Sequence, residues 1–471
     1  MSIPLWLAPG STIKRWLLIG VIGLLIIVLG IAYLFVDLYR KVHFSGWTTG
    51  VVSTVTLQGI PRGLRGALFL ALGVGAIWLA LRRLNTVIVA VLARSLYGDV
   101  PRRRTVIGTV AAQNKLLRGP RIVTIGGGTG MSLLLHGLRA YSRNITAIVT
   151  VADDGGSSGR LRRDLSMPPP GDFRQCIAAL ADVEPLMSEL LQYRFKPGSG
   201  LEGHSFGNLL IAAMADITGS FERAVAESSR VLAVRGQILP ATLEDVTLAA
   251  ELRDRTTVRG ESTLAHGTAP IERVFLIPNR ADDAGGPIEA NPEAMEALRD
   301  ADMIIIGPGS LYTSIMPNLL VPGIAAAIYA ARAPLKVFVC NVATEPGETD
   351  GYTACEFVRA VRRHVGIPLF DQVLINENRR ARHPEHWKSQ VVLPGDRATL
   401  PDGVRLVERD VVDAGNAVRH DAHKLTQVLM DLYEAPRRTA STAESARRPT
   451  VAHAAPADSR AGDEGVGAGL A

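Results

Sequence analysis

The order of apolar and polar positions changes near residue 121. From there on, short runs rich in β-branched residues alternate with segments of helix length, a pattern typical of a parallel sheet with helices on both faces. The runs are continuously apolar, as expected of strands that are covered on both sides. The predicted strands are residues 121–126, 145–151, 271–277, 302–306, 335–341 and 370–376.

The segments between and after these strands predict helices at residues 130–141, 173–182, 205–217, 221–232, 322–332, 352–364 and 420–434. Residues 246–262 predict a β-hairpin that leaves the main sheet. From residue 437 the chain has hardly any large apolar side chains, which predicts a disordered tail at 437–471. We therefore expect an α/β domain with a mainly parallel sheet over residues 120–436.

Two longer apolar runs precede this domain. Residues 16–36 are apolar without interruption, which at about 1.5 Å per residue covers the roughly 30 Å hydrocarbon layer of a membrane. Residues 66–81 are shorter, but Arg65 and Arg82 at their ends can extend to the membrane surfaces. We expect a two-helix transmembrane hairpin, with helices at 16–36 and 66–83.

Positive charge sets the orientation of this hairpin. The arginines after residue 81 outnumber the basic residues of the loop at 37–65, so the positive-inside rule places residues 1–15 and everything after 83 in the cytoplasm. Residues 84–119 then form a basic juxtamembrane linker. No charged side chain lies inside either apolar run, so anchoring is favoured over transport.

Charge is unevenly divided between the two parts of the chain. Residues 1–118 carry 14 Lys and Arg residues against two Asp residues, whereas the remainder carries 37 basic and 43 acidic residues. A mildly acidic domain is unsuited to a phosphate backbone, so we expect no nucleic-acid partner. The three cysteines form no C-x-x-C pair, which fits a reducing compartment and excludes a disulfide framework or structural zinc.

A glycine-rich turn connects the strand at 121–126 to the next helix. This glycine turn consists of Gly126, Gly127, Gly128, Thr129 and Gly130. Glycines let the backbone approach a phosphate, and a helix N-terminus offers unpaired N–H groups and the positive end of the helix dipole. Thr129 can cap the helix or donate its hydroxyl to a phosphate. The turn predicts a phosphate site, with a tight turn that binds nothing as the alternative.

The spacing of these glycines argues against a dinucleotide. A G-x-G-x-x-G fingerprint needs Gly or Ala at position 131, where this chain has Met131. Asp153 lies 23 residues after Gly130, close to where a ribose-binding acid is expected, so NAD stays as a minor alternative.

A second polar loop follows the strand at 145–151, where ligands bind in open α/β sheets. Its candidate ligand-binding residues are Asp153, Asp154, Ser157, Ser158 and Arg160. The two carboxylates suit ribose hydroxyls or Mg²⁺, and the guanidinium suits a phosphate. The alternative is a solvated turn.

Further polar groups are predicted at the same edge of the sheet. Those at strand ends or helix starts are Asp172, His204, Asn208 and Asn341. Asp172 either faces the ligand or only caps its helix. A second anion or sugar loop follows the strand at 302–306, with candidate residues Gly307, Gly309, Ser310, Tyr312 and Thr313.

With these motifs the chain resembles the YvcK family of gluconeogenesis factors and, more distantly, the CofD 2-phospholactate transferases. The resemblance spans roughly residues 121–436. It is carried by IGGGTG at 125–130, TVADDGGSSGRLR at 150–162, PPPGDFR at 168–174, EGHSFGNLL at 202–210, IGPGSLYTS at 306–314, PNLLVPGI at 317–324 and EPGETDGYTA at 345–354.

This resemblance implies a Rossmann-like fold that binds a UDP-sugar of the UDP-N-acetylglucosamine class, and a role in carbon flux to cell-wall synthesis and in cell shape. In the CofD transferases a guanosine nucleotide sits on the counterpart of the glycine turn, and an acidic residue at the position of Asp172 contacts the acceptor. This chain has Gly203, His204 and Ser205 where those transferases have a basic, Asp-rich motif. That departure argues against phospholactate transfer.

Three functions stay open on the sequence. The first is a membrane-tethered nucleotide-sugar sensor, because no nucleophile with a paired base stands out. The second is a transferase with Asp172 as the candidate catalytic residue near the acceptor and with Mg²⁺ on Asp153 and Asp154. The third is a membrane-surface scaffold whose basic segment at 82–104 binds lipid or wall-synthesis and regulatory proteins. A homo-oligomer is compatible with all three.

Overall fold

The structure, a computed structural model, describes residues 116–198, 200–264, 269–279, 287–380 and 387–447, with isolated positions before them. The chain divides into two compact units, residues 1–107 and residues 108–471. The isolated positions in the first unit include Val28 and Trp78, both in helical conformation. The predicted transmembrane helices at 16–36 and 66–83 lie almost wholly outside the described residues and stay predictions.

Within the described part of the chain, no single helix is long and apolar enough to cross a membrane. Two short helical segments, Leu311–Leu319 and Ile324–Ala330, reach the required length and composition only when taken together. The chain bends by 75° between them. Leu311, Leu319 and Ile328 are buried in the core of the second unit.

The described residues of the second unit form two sheets. The strands are β1 (Ile122–Gly126), β2 (Ile145–Val149), β3 (Gln237–Pro240), β4 (Val246–Leu252), β5 (Thr257–Arg259), β6 (Ile271–Pro278), β7 (Met303–Ile306), β8 (Leu335–Val339), β9 (Gln372–Asn376) and β10 (Arg405–Arg409). Seven of them form one parallel sheet in the order β10-β9-β8-β7-β1-β2-β3, and β5-β4-β6 form a small antiparallel sheet.

Helices cover both faces of the parallel sheet. They are α1 (Gly128–Leu138), α2 (Gly156–Leu165), α3 (Gly171–Leu180), α4 (Pro185–Gln192), α5 (Phe206–Thr218), α6 (Phe221–Val231), α7 (Glu261–Leu264), α8 (Pro292–Asp300), α9 (Met316–Leu319), α10 (Ile324–Ala330), α11 (Ala354–Val365) and α12 (Ala422–Arg447). A π-helical turn, Leu311–Ile315, precedes α9.

The core forms two layers because alternate residues of each strand face opposite sides. In β1, Ile125 packs into the layer that contains α8, α10 and α11. Ile122 packs into the layer that contains α1, α3 and α12. Strands covered on both sides in this way explain the continuously apolar runs in the sequence.

The strand order changes direction between β1 and β7. From β1 the chain builds outward through β2 to β3, and from β7 it builds outward on the other side to β10. This is the doubly wound arrangement of Rossmann-like folds, in which ligands bind at the carboxyl ends of the two strands that flank the reversal. The glycine turn follows β1, and the loop at 307–310 follows β7.

The structure confirms the predicted α/β class, the hairpin at 246–262 and five of the predicted main-sheet strands: β1, β2, β7, β8 and β9. The strand at 271–277 exists as β6, but its assignment to the doubly covered sheet is wrong. It pairs with β4 in the antiparallel sheet, and its Glu272 and Arg273 are exposed.

Some elements were not predicted. The edge strands β3 and β10 and the helix α4 are only four, five and eight residues long, and the helices α2 and α8 carry few large apolar residues. The final helix continues past its predicted end at 434 as far as Arg447, so the first part of the segment predicted to be disordered is helical.

Candidate functional site

A cavity of about 420 Å³ opens at the carboxyl edge of the parallel sheet, at the reversal between β1 and β7. Its lining combines the two glycine-containing loops with residues from six other segments of the described chain. The main lining residues are Gly127, Gly128, Thr129, Gly130, Asp153, Asp172, Glu261, Gly309, Ser310, Ser314, Asn341, Glu345, Arg419 and His420. The sequence predicted nine of these positions as site residues. Glu345 lies in the EPGETDGYTA motif, and Glu261, Ser314, Arg419 and His420 were missed.

The glycine turn and the loop after β7 fit together closely. A Cβ atom on Gly130 would lie 2.7 Å from the backbone oxygen of Pro308, so only glycine allows this approach. The buried side chain of Asn318 holds the pair from beneath, since its Nδ2 donates to the carbonyl oxygens of Gly126 (3.0 Å) and Ser314 (2.8 Å). These bonds tie the start of the glycine turn to the π-helical turn that follows the loop at 307–310.

The N-terminus of α1 faces this cavity. Gly127 precedes the helix in extended conformation and no side chain caps the first turn, so Thr129 does not act as the N-cap. The N–H of Gly128 donates to the carboxylate of Asp172. The first turn of α1 thus presents backbone donors and the positive end of the helix dipole to the cavity.

Asp172 and Asp153 lie together on one side of the glycine turn. Asp172 stands in the first turn of α3, and its Oδ2 lies so close to Gly127 that a Cβ there would come within 2.4 Å of it. Burial, followed by the charge of Asp153, raises the pKa of Asp172 to about 7. Burial also raises the pKa of Asp153, whose carboxylate accepts from the N–H of Gly155 at 2.8 Å.

Glu261 adds a third carboxyl from a distant part of the chain. It is the first residue of α7, which follows the small antiparallel sheet. Burial, and then the charges of Asp153 and Asp172, raise the pKa of Glu261 to about 9. Its Oε2 has no hydrogen-bond partner among the described residues. Glu261 is therefore protonated at neutral pH and can both donate and accept a hydrogen bond.

A second pair of carboxyls lies on the other side, after β8. The Nδ2 of Asn341 donates to Glu345 Oε1 at 3.2 Å, and Ser310 also bonds to Glu345. Burial raises the pKa of Glu345. Burial and the neighbouring Glu345 raise the pKa of the more deeply placed Glu348 to about 8. This side offers an amide, a hydroxyl and two carboxyls as hydrogen-bonding groups.

One segment before α12 brings Arg419 and His420 to the cavity. The segment is held by an antiparallel bridge between Val412 and His420. Arg419 is exposed, and among the described residues lining the cavity it is the one permanent cation. No local motif marks these two residues in the sequence, because their position depends on how residues 410–421 fold back onto the sheet.

Several predicted site residues instead hold neighbouring elements together. Asp154 Oδ1 accepts from the N–H of Ser262 at 2.8 Å and so ties the loop after β2 to α7. Arg160, predicted to meet a phosphate, donates to the carbonyl oxygen of Glu202 at 2.7 Å. Neither residue lines the cavity.

Ser157, His204 and Asn208 form a polar cluster between α2 and α5. Ser157 Oγ lies 3.0 Å from His204 Nδ1 and accepts from Asn208 Nδ2 at 3.1 Å. Burial lowers the pKa of His204, and the positive charge of Arg160 lowers it further. This cluster packs the helices together and does not line the cavity.

The other predicted residues support the walls of the cavity. Ser158 bonds to Asp153 and orients its carboxylate. Thr313 Oγ1 donates to Glu348 at 3.1 Å, and the hydroxyl groups of Tyr312 and Tyr352 are 2.9 Å apart in the core. Gly307 joins β7 to the loop without lining the cavity.

The described residues contain no group of three or more His, Cys, Asp or Glu side chains arranged to hold a metal ion. Asp154 faces α7, so it does not join Asp153 in the Mg²⁺ site that the sequence predicts. Asp153 and Asp172 remain beside the glycine turn. Mg²⁺ in nucleotide sites takes one or two carboxylates and fills the rest of its shell with phosphate oxygens and water, which this pair fits.

The fold and the cavity place the chain in the class of CofD-like α/β proteins. The sequence profile of the family described as 2-phospho-L-lactate transferase CofD matches residues 122–412. A crystal structure of a Bacillus halodurans protein, described as a member of the UPF0052 family, superimposes with a TM-score of 0.60 at 44% identity. It covers 66% of this chain and 99% of that one.

Within this class the chain belongs to the gluconeogenesis factor family, also called the YvcK family. The gluconeogenesis factor of Bacillus subtilis is 48% identical over 321 residues, which cover 66% of this chain and 98% of the relative. A family member of Nostoc sp. is 47% identical over 437 residues, which cover 91% of this chain and 92% of the relative. The Nostoc match therefore includes much of the region before residue 116.

Proposed function

We propose that the cavity binds a nucleotide-sugar, a UDP-sugar of the UDP-N-acetylglucosamine class. The observation that carries the proposal is the meeting of the glycine turn and the loop at 307–310 at the sheet reversal, where Rossmann-like folds bind nucleotides. A volume of about 420 Å³ lies within the range of small-molecule sites.

In this proposal the diphosphate lies on the N-terminus of α1. The backbone of Gly127, Gly128 and Gly130 lines the cavity there, with the positive end of the helix dipole behind it. Arg419 also lines the cavity and would supply a positive charge. Charge-assisted hydrogen bonds from a guanidinium to phosphate are among the strongest polar contacts in proteins.

The carboxyls beside the turn favour a divalent cation as part of the ligand. A diphosphate placed next to ionised Asp153 and Asp172 would be repelled, unless Mg²⁺ lies between them or a carboxyl keeps its proton. Asp153 and Asp172 would hold the cation, which would neutralise charge beside the diphosphate. The sugar would lie against Ser310, Asn341 and Glu345, which offer hydrogen-bond donors and acceptors.

We further propose that the chain is a regulator of carbon flux towards cell-wall synthesis and of cell shape, held at the membrane by helices at 16–36 and 66–83. The relatives' name, gluconeogenesis factor, supports a role in carbon metabolism. The lengths of the two matches support an anchor that is separable from the α/β domain. The Bacillus subtilis relative matches 66% of this chain, whereas the Nostoc relative matches 91%. Homo-oligomers and wall-synthesis partners remain expectations.

A transferase is the second candidate, because the CofD profile spans the cavity-forming residues and Asp172 lines the cavity. In that case a phospho-group would pass from a nucleotide-activated donor to an acceptor, with Asp172 near the acceptor. Such transfer needs mainly positioning and charge neutralisation. In a transferase the Ser310 hydroxyl, which bonds to Glu345, would be the candidate nucleophile among the described lining residues. We favour the sensor because the relatives are named for a role in carbon metabolism.

Equilibrium dialysis of the full-length protein with labelled UDP-N-acetylglucosamine tests the binding proposal. We expect saturable binding that Mg²⁺ strengthens and unlabelled UDP-glucose weakens. Absence of saturable binding with and without Mg²⁺ would refute the UDP-sugar sensor. The transferase predicts binding of a nucleotide-activated donor of another base, so absence of binding of GDP as well would refute that candidate.

A further inference from the structure

The helix α4 exposes apolar side chains on the side that faces away from the core. Leu186, Leu190 and Tyr193 follow an i, i+4, i+7 spacing, so they share one face, and they are 74%, 37% and 45% exposed. Leu191 anchors the opposite side and is 1% exposed. A surface helix normally turns polar side chains to the solvent. The three exposed residues, the α4 patch, therefore form a candidate contact surface.

The next helix, α5, extends this apolar surface. It adjoins the end of α4, because the N–H of Phe206 donates to the carbonyl oxygen of Tyr193 at 2.9 Å. Ala213 and Ile217 lie one turn apart on α5, and both are exposed, Ile217 to 77%. Stable interfaces between proteins bury about 1,200–2,000 Å², which is more than one short helix offers. The two helices together provide a broader surface.

Two opposite charges flank the centre of the α4 patch. Glu189 directly precedes Leu190, Arg194 directly follows Tyr193, and both charged residues are exposed. Neither forms an ion pair within the part of the chain that the structure describes. Arg194 Nη1 donates to a neutral acceptor, the carbonyl oxygen of Gly203, at 3.1 Å. Each charge can therefore pair with an opposite charge from another molecule.

We propose that a second copy of this chain docks on the α4 patch, with the two α4 helices antiparallel about a two-fold axis. An axis between Leu190 and Tyr193 places Leu190 of each copy opposite Tyr193 of the other. It also places Glu189 of each copy opposite Arg194 of the other, because the two charges are equally far from the axis along the chain. A two-fold interface needs such a self-complementary patch, and the inference does not depend on the ligand in the cavity.

The charge of α4 disfavours a lipid surface as the occupant. Residues 185–192 include Glu189 and no Lys or Arg. Helices that lie on anionic membranes carry Lys and Arg on their polar face. A different protein would have to carry the reverse charge pattern, whereas a second copy supplies it by symmetry.

Sedimentation equilibrium of the full-length protein in a non-ionic detergent measures this self-association. The variants are Leu190→Asp, Glu189→Arg, Arg194→Glu and the double charge swap that combines the last two. Tyr329→Asp, at a 56% exposed position on α10, is the matched control.

We expect a dimer that Leu190→Asp weakens by about tenfold or more and that Tyr329→Asp leaves unchanged. Each single charge swap should weaken the dimer by about fivefold, since it places like charges opposite each other twice. The double swap should restore most of the affinity, which a general disturbance of α4 would not do.

A wild type that stays monomeric at every concentration would overturn the inference. So would a dimer that Leu190→Asp does not weaken, because the copies would then meet at another face. A double swap that binds no more tightly than the single swaps would also overturn it.

A spin label on Met187→Cys, at the edge of the patch, distinguishes the other occupants in lipid vesicles. All three native cysteines are buried, so the label reacts at one position. We expect dipolar broadening that dilution with unlabelled protein removes. A label that dissolved oxygen relaxes without broadening would assign the patch to lipid. An immobilised label with neither signal would assign it to another segment of this chain or to another protein, and either result would overturn the inference.

Discussion

Replacing Asp172 by Asn should make the free protein more stable at high pH and leave its stability unchanged near pH 4. The carboxyl of Asp172 lies beside Asp153 and Glu261 and accepts one backbone N–H, from Gly128. Its pKa is raised from 3.8 to about 7 in the folded protein. An amide oxygen can still accept from Gly128, so Asp172→Asn removes the charge and keeps the contact.

The size of the effect follows from proton linkage. Between pH 3.8 and about 7 the folded protein holds a proton on Asp172 that the unfolded chain has lost, so stability falls as the pH rises through this window and is lowest above it. Each pKa unit corresponds to about 1.4 kcal/mol, which gives an upper limit of about 4 kcal/mol. Asp172 is not fully buried, and solvent screening reduces the expected gain to about 1–3 kcal/mol.

Urea unfolding of full-length wild type and Asp172→Asn at pH 4 and at pH 8 measures this difference. Asp164→Asn, at an exposed position on α2, is the control and should show no pH-dependent gain. Equal stability of wild type and Asp172→Asn at pH 8 would refute the description of a crowded, buried carboxyl cluster. A loss of stability at pH 8 would show that the ionised form is favoured by the fold.

Three further substitutions or deletions have defined outcomes. Gly130→Ala should lower the free energy of unfolding by about 1–3 kcal/mol and weaken nucleotide binding, because the new Cβ would lie 2.7 Å from the carbonyl oxygen of Pro308. Gly126→Ala, whose nearest contact is 3.7 Å, should be tolerated, and calorimetry on both variants checks the contrast. Arg419→Ala should weaken UDP-sugar binding about tenfold and reduce its salt dependence, whereas the exposed Arg405→Ala should change neither. Removal of residues 1–83 should release the protein from membrane fractions and leave the dissociation constant unchanged; a protein still found with the membrane would contradict the predicted anchor.

The parts of the site that follow a strand directly could be predicted from the sequence. The glycine turn after β1 and the loop after β7 are local motifs, and the parallel sheet brings both to the same edge. Asp153 and Asn341 line the cavity for the same reason, since each follows the end of a strand.

Residues that arrive through long-range folding could not be predicted. Glu261 reaches the cavity because the antiparallel sheet returns the chain over the loop after β2, and Arg419 and His420 arrive because a bridged segment folds back before α12. A polar side chain at a helix start can face a ligand or join two helices. Ser157, His204 and Asn208 join α2 to α5, and only the tertiary contacts distinguish the two roles.

The central claim, that this chain binds a nucleotide-sugar at the glycine turn, is tested most directly by thermal-shift titration of the full-length protein. The ligands are UDP-N-acetylglucosamine, UDP-glucose, GDP and NADH, each with and without Mg²⁺. We predict stabilisation by the UDP-sugars, about 2.7 kcal/mol at roughly a hundred times the dissociation constant, and little or none by NADH. No shift with any UDP-sugar, or a shift with NADH alone, would contradict the assignment.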